Sequence, residues 1–315
     1  MTGTNVDFRT LGEAETFAEQ RIERVMQLFE PIAGLAPRYS KIAIGITNVN
    51  WLVETSDSKY FVKVYGENTS RMIDRESALI ASERAGQIGV GPRLIASFSD
   101  PGAEVYEFLE GFRNCAAEDL VDPLVRKNVL SAYRKMHALA PLPLTRTGFD
   151  QLRQRKALVD AEGIALPEDI HDLLEACQKA EDAALRAGIS LSVCHNDSYA
   201  PNFMIDANKN VRIVDWEYAS NNDRTWDLAM IALSSMLPPG EVDILEEYFG
   251  DVPETERAKL VMYGGALAVS WGMWALLQTQ YSRIEFDYLA YSGQLFGVAR
   301  SLIQSEEWEA ALCRY

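Results

Sequence analysis

The stretch Val193-Cys194-His195-Asn196-Asp197-Ser198-Tyr199-Ala200-Pro201-Asn202 has the form H-x-D-x-x-x-x-N, with β-type residues on both sides. A carboxylate at Asp197 can accept the proton of a hydroxyl group. An asparagine five residues on can turn its oxygen to a metal ion and also hold the loop. Further along, the apolar run Ile213-Val214 ends in Asp215, followed by Trp216-Glu217-Tyr218. A carboxylate at the end of such a strand suits a magnesium ion that bridges nucleotide phosphates. Either piece alone is also what an Asx-turn or a helix cap looks like. In this order and spacing they describe phosphoryl transfer, whose catalysis is mostly positioning and charge neutralisation. Asp197, Asn202 and Asp215 are the expected catalytic residues, with Asn202 and Asp215 as the metal ligands.

Other residues fit around this pair. Lys63 sits inside the apolar run Phe61-Val62-Lys63-Val64-Tyr65. A lysine there either snorkels at a sheet edge or reaches phosphates, and beside a phosphoryl-transfer loop the second reading is preferred. Gly45-Ile46-Thr47-Asn48 lies between two β-type runs and has the makings of a turn over phosphates, though it is no G-x-G-x-x-G. Asp227 reads as an acid near a helix N-terminus, or as a brace on the catalytic loop, the former being the plainer choice. His137 and His171 are expected to be structural, and His195 to organise the loop backbone. Trp271 and Trp274 share a helical face, with Phe286, Tyr288 and Tyr291 close behind. Such a cluster is either core or a box for an ammonium group held by cation–π attraction.

The elements that must position these residues can be read from periodicity. Thr10 to Phe29 carries one apolar helical stripe of Leu11, Ala14, Phe17, Ala18, Ile22, Val25 and Phe29. Short β-type runs follow at Lys41–Ile44, Val49–Thr55 and Tyr60–Tyr65, with a turn at Ser56-Asp57-Ser58. A helix is expected over about Ser70–Gln87, stopped by the Gly-Val-Gly-Pro stretch from Gly89. Runs at Arg93–Phe98 and Glu104–Phe108 flank the turn Asp100-Pro101-Gly102. Beyond Leu109-Glu110-Gly111 the pattern becomes long helices, including one faced by Val125, Val129, Ala132 and Met136 and one over Glu168–Ala187. Short strands fall between Leu191 and Val214, and helices run from Arg224 to the end. The expected fold class is α+β: a small antiparallel-sheet lobe over 1–108 and a larger, mainly helical lobe over 109–315, with a ligand cleft between them.

Composition narrows the partners. The 315 residues carry 46 acidic and 30 basic side chains, a net charge of −16. Such a chain repels nucleic acid and anionic membrane, and suits a cationic ligand, although acidity also simply aids solubility. The four cysteines, Cys115, Cys177, Cys194 and Cys313, are scattered, which argues against a zinc site or disulfide framework and fits a cytoplasmic protein. Met1 to Arg9 lacks the apolar core of a signal peptide. Gly264–Leu277 is the most apolar stretch, and reads as a buried helix rather than a membrane span.

Over most of its length the chain resembles the choline/ethanolamine kinase family, protein-kinase-like small-molecule phosphotransferases related to the aminoglycoside phosphotransferases. The segments that carry the likeness are Gly45–Asn48, Val62-Lys63-Val64-Tyr65-Gly66, Ile73-Asp74-Arg75, Gly91-Pro92, Tyr106–Gly111, His195–Asn202 and Asp215–Tyr218. The most specific are Trp271-Gly272-Met273-Trp274, Ile284–Tyr288 and Tyr291. The resemblance implies a bilobal protein-kinase-like fold and transfer of phosphate from ATP, with Mg2+, to the hydroxyl of choline or ethanolamine. It implies nucleotide contacts at Asn48, Lys63, Glu107 and Leu109. It also implies an ammonium box of Trp271, Trp274 and Tyr291, closed by Tyr218, with Asp197 or Glu217 as nearby acids. A homodimer is compatible with it. Other substrates of the same fold, an aminoglycoside or thiamine, are the alternative, and a non-catalytic pseudokinase the third reading. The sequence departs from the family at two places. Ala78 stands where an acid often pairs with the phosphate-binding cation, leaving Glu76 as the nearest, and Ser234 stands where eukaryotic relatives carry an acid near the choline nitrogen.

Overall fold

The computed structural model describes residues 7–43, 45–66, 69–237 and 242–315. They form two compact units, one of residues up to 71 with 92–110 and 282–286, the other of 72–91, 111–281 and 287–315.

The first unit is built on a six-stranded sheet of β1 (Arg9–Thr10), β2 (Arg38–Ile42), β3 (Val49–Glu54), β4 (Lys59–Val64), β5 (Leu94–Phe98) and β6 (Ala103–Glu107), in the order β1-β2-β3-β4-β6-β5. All pairings are antiparallel. The β3–β4 hairpin closes where the Thr55 hydroxyl accepts the Asp57 and Ser58 amides. Helix α1 (Phe17–Leu28) lays Ile22, Val25 and Met26 on a core shared with Trp51, Val53, Val62 and Val105. It is shorter than the apolar stripe suggests. Thr16 caps it and Glu19 completes a capping box, while Arg9 and Thr10 pair with β2 instead. Leu11 and Phe17 are therefore exposed, Phe17 by 60%. β2 likewise starts earlier than the expected Lys41, because pairing with β3 runs back to Arg38 opposite Glu54; Ile44 lies outside the described residues.

The second unit holds α2 (Arg75–Gln87), β7 (Arg113–Asn114), α3 (Pro123–His137), α4 (Gly148–Ala161), α5 (Ile170–Ala187), β8 (Leu191–Cys194), β9 (Phe203–Ile205), β10 (Val211–Ile213), β11 (Ser220–Asp223), α6 (Arg224–Ser234), α7 (Ile244–Phe249), α8 (Glu254–Tyr281), α9 (Tyr288–Ile303) and α10 (Glu306–Leu312). α2 begins at Arg75 and not near Ser70, because the Asp74 carboxylate caps the Ser77 amide. Two small sheets, β10-β9-β7 and β11-β8, present the loops that follow β8 and β10. Val129, Leu130, Tyr133 and Met136 of α3 pack with Val193, Phe203, Ile205 and Ile213 beneath those loops. Helix α8 runs through the middle, with α4, α5, α6, α9 and α10 packed against it. By length and composition it is apolar enough to cross a bilayer, but 89% of its most apolar window is buried inside the protein.

Gly148, the first residue of α4, admits the Trp226 ring: a Cβ there would come within 2.1 Å of it. Gly148→Ala is expected to cost about 1–3 kcal/mol of stability by overpacking, read as a lower midpoint in urea.

Candidate active site

The sequence-predicted site residues fall in both units. In the first, Lys63 points from β4 and is only 5% exposed. It stands directly opposite Glu104 of β6, with Nζ 3.4 Å from Oε2. Glu104 is thus one acid that meets Lys63, itself buried and holding the Tyr65 and Tyr106 hydroxyls at 2.7 and 2.6 Å. A buried lysine needs such a partner to stay charged. Asn48 is buried in the turn after Gly45, and its Oδ1 accepts the Gly66 amide at 3.1 Å. That close approach needs glycine at 66, where a Cβ would lie 2.1 Å from the Thr47 carbonyl. Glu107 ends β6 and exchanges hydrogen bonds with the Arg93 backbone, and Leu109 follows, half-buried.

In the second unit, β8 delivers His195–Asn202 and β10 delivers Asp215. The two segments are knitted together. The Val214 amide donates to the Asn202 carbonyl at 2.9 Å, and the His195 ring Nε2 lies 2.9 Å from the Val214 carbonyl. His195 Nδ1 accepts the Asp197 amide at 3.2 Å. Asn202 Nδ2 donates to the Asp197 carbonyl at 3.0 Å and to its Oδ2 at 3.1 Å. This turns Asn202 Oδ1 away from Asp197. That oxygen and the Asp215 carboxylate are hard donors of the kind magnesium takes. Burial first, then the charges of Asp215 and Glu217, push the Asp197 carboxyl up to about 8; its Asn202 bond and the Arg155 charge pull it back.

Asn196 and Asp215 hold left-handed backbone, with φ of 64° and 67°. Such geometry persists only where surroundings over-determine it. Around Asn196 they do. Its side chain bonds the Tyr218 carbonyl, Ser220 and Asn222, and its amide donates to Asp227 at 2.8 Å. Asp227 is the hub. It is fully buried and also accepts the His195 amide at 2.9 Å, the Ser198 hydroxyl at 2.7 Å and His137 Nε2 at 3.0 Å. Both readings of Asp227 meet here: it lies in the first turn of α6, whose cap is Asp223, and it braces the loop through the His195 and Asn196 amides. Burial alone would raise its carboxyl, yet the His137 hydrogen bond and the His137 and His195 charges hold it below the usual range. Cys194 lies beside Asp227 and His137. These side chains are spent on hydrogen bonds, His137 Nδ1 meeting the Tyr248 hydroxyl at 2.8 Å, so the trio is a structural knot. Asp227→Asn is expected to lose about 1–3 kcal/mol, since an amide NH2 would face donors. Urea melts of parent and variant at neutral pH check it.

The aromatic residues also gather. Tyr218 stacks edge-on to Trp271 at 5.4 Å, and Trp271 to Trp274 at 5.4 Å. Trp274 Nε1 donates to the Tyr218 hydroxyl at 2.7 Å. Burial raises the Tyr291 phenol, with the charges of Tyr199 and Asp197 adding to it. Glu217 is buried, 3.8 Å from Arg75 Nη1. Ser234 makes only long contacts, 3.5 Å to the Ser198 carbonyl and 3.4 Å to that of Ile231. One residue here was not anticipated: Arg155 of α4, whose guanidinium lies 4.2 Å from the Trp271 ring centroid and 5.5 Å from that of Tyr218.

Residues 39–234 match the family model for choline/ethanolamine kinases. A probable choline kinase from Arabidopsis thaliana is 29% identical over 272 residues, 76% of this chain and 76% of that protein. Among solved structures, a choline/ethanolamine kinase family protein from Mesorhizobium loti shares the fold with a TM-score of 0.79 at 23% identity, over 94% of this chain and 98% of that one. The choline kinase LicA from Streptococcus pneumoniae, in complex with AMP, shares it with a TM-score of 0.76 at 20% identity, over 89% and 97%. The bilobal α+β expectation is met at the level of fold, and this chain belongs to the choline/ethanolamine kinase family and is a kinase of that family.

Proposed function

We propose that the protein transfers the γ-phosphate of ATP, with Mg2+, to the hydroxyl of a small amino alcohol of the choline and ethanolamine class. The observation that carries this is the knitted pair of loops: Asp197 held by Asn202, with Asp215 delivered beside them, in a chain of this family. Asp197 takes the proton as the substrate oxygen attacks. Asn202 and Asp215 offer the oxygen donors for magnesium, which when bound neutralises charge on the phosphates. Lys63 is assigned to the phosphates, Asn48 to the turn that covers them, and Glu107 and Leu109 to the adenine. The complex of LicA with AMP supports nucleotide binding in this fold. Tyr218, Trp271, Trp274 and Tyr291 are assigned to the wall around the amino alcohol, with Glu217 as a nearby acid. Four free cysteines support a cytoplasmic setting.

A coupled ADP-release assay over amino alcohols, thiamine and an aminoglycoside tests the assignment. Magnesium-dependent turnover of an amino alcohol is the expected result. Turnover of thiamine or the aminoglycoside alone would overturn it.

A further inference from the structure

The side chain of Arg155 is misplaced for a site that only recognises an ammonium group. It is 3% exposed. Its Nη1 donates to Ser270 Oγ at 2.8 Å, while Nη2 is buried with no hydrogen-bond partner. Among the described residues no carboxylate pairs with it. A guanidinium stays charged in a protein, so it is a buried cation with one donor left over, which is costly unless a ligand completes it. It also lies over the rings of Trp271 and Tyr218, which are assigned to the wall around the amino alcohol. A substrate cation placed there meets a cation of the protein itself.

A second guanidinium points the same way. Arg146 bonds the Met72 carbonyl and Gln154 through Nη1, but its buried Nε has no partner. Arg146 and Arg155 both sense Tyr218, and Arg155 senses Arg146 as a like charge. Arg155 and Asp197 sense each other as opposite charges. A buried guanidinium with a leftover donor suits an anion, and the planar fork of Arg matches a carboxylate best.

We propose that the substrate is an amino alcohol that also carries a carboxylate, a hydroxylated amino acid, with the carboxylate on Arg155 Nη2 and the hydroxyl at Asp197. The proposal rests on the amino-alcohol kinase reading above and narrows it. In the step, the substrate oxygen forms a bond to the γ-phosphorus as the bond to the leaving ADP oxygen breaks. Asp197 takes the hydroxyl proton, and the products are the O-phospho amino acid, ADP and a proton.

The test is ADP release by the full chain with ATP and magnesium, comparing L-serine and L-homoserine with ethanolamine and choline. The expected result is a kcat/KM at least tenfold higher for one of the carboxylated compounds. Arg155→Gln should remove at least a tenfold share of that preference through KM and leave the KM for ATP unchanged, and Arg155→Lys should restore part of it. If ethanolamine or choline is the better substrate, the inference fails while amino-alcohol phosphorylation stands. If none of the four turns over, both fail. Should Arg155→Gln not fold, shown by its melting curve, the ranking of the four compounds by the parent enzyme still decides. A folded Arg155→Gln with unchanged ranking also overturns the inference.

Discussion

Asp197→Asn is expected to lower kcat by roughly 10²-fold or more, and at the same time to raise the melting temperature of the metal-free protein at pH 8. The first effect follows from removing the carboxylate proposed as acceptor of the substrate hydroxyl's proton, since general-base catalysis is typically worth about 10²–10⁴. The loop should keep its shape. Its backbone is held by Asp227 and His195, and the Asn202 amide still has the carbonyl of residue 197 to bond. The second effect follows from the raised carboxyl. Burial, Asp215 and Glu217 place it at about 8 in the folded protein, against roughly 4 in an unfolded chain. A raised carboxyl favours folding fully below its unfolded value, and that contribution is lost as pH rises towards 8. Asparagine does not ionise, so it escapes the loss. Parent and variant should melt together near pH 4 and diverge as pH increases, with the variant higher. Near-normal turnover would remove Asp197 from the base position, and a parallel pH dependence of the two melts would show that its carboxylate is not strained.

Asp215→Ala should be the most damaging single change to activity, a loss of roughly 10³-fold or more. A metal carboxylate accounts for several kcal/mol of charge stabilisation, and each 1.4 kcal/mol is about tenfold in rate. The diagnostic feature is the coupling to magnesium. Calorimetry of ATP binding should show enhancement by magnesium in the parent and little in the variant, because Asn202 alone is a weak ligand. Its left-handed backbone makes the substitution doubly informative. Alanine at positive φ adds strain of order 1–3 kcal/mol, so Asp215→Asn, which tolerates that region better, should share the metal defect and melt closer to the parent. Unchanged magnesium dependence in both variants would move the metal elsewhere.

These two residues were readable from the chain because their positions are local facts. A strand, a tight loop and a second short strand follow one another, and the hydrogen bonds that link Asp197 to Asn202 span only five residues. The hairpin around Asp57 and the apolar register that buries Val62 and Val64 are local in the same sense. What local order does not contain is which distant side chain arrives. Glu104 faces Lys63 only because β4 pairs with β6 rather than with its sequence neighbour β5, a choice made by the sheet as a whole. Helix limits moved for a related reason. The stripe from Leu11 to Phe29 has the right period throughout, but a cap at Thr16 and pairing of Arg9 and Thr10 with β2 compete for the same backbone groups and win.

The chain by itself thus determined the family and the candidate groups: a carboxylate proposed as proton acceptor, oxygens proposed for a cation, and a lysine on an apolar strand. Only the tertiary structure decided what surrounds that chemistry. Asp227 becomes the clamp of the catalytic loop because packing of α6 against β8 carries a carboxylate to its free amides. Arg155 enters the aromatic wall because α4 packs along α8, which brings its guanidinium to Ser270 and Trp271 from 115 residues away in the chain. Nothing in an arginine among the polar residues of α4 announces this. Its burial is a property of the neighbouring helix, and the charge it places there is what the proposed carboxylated substrate would answer.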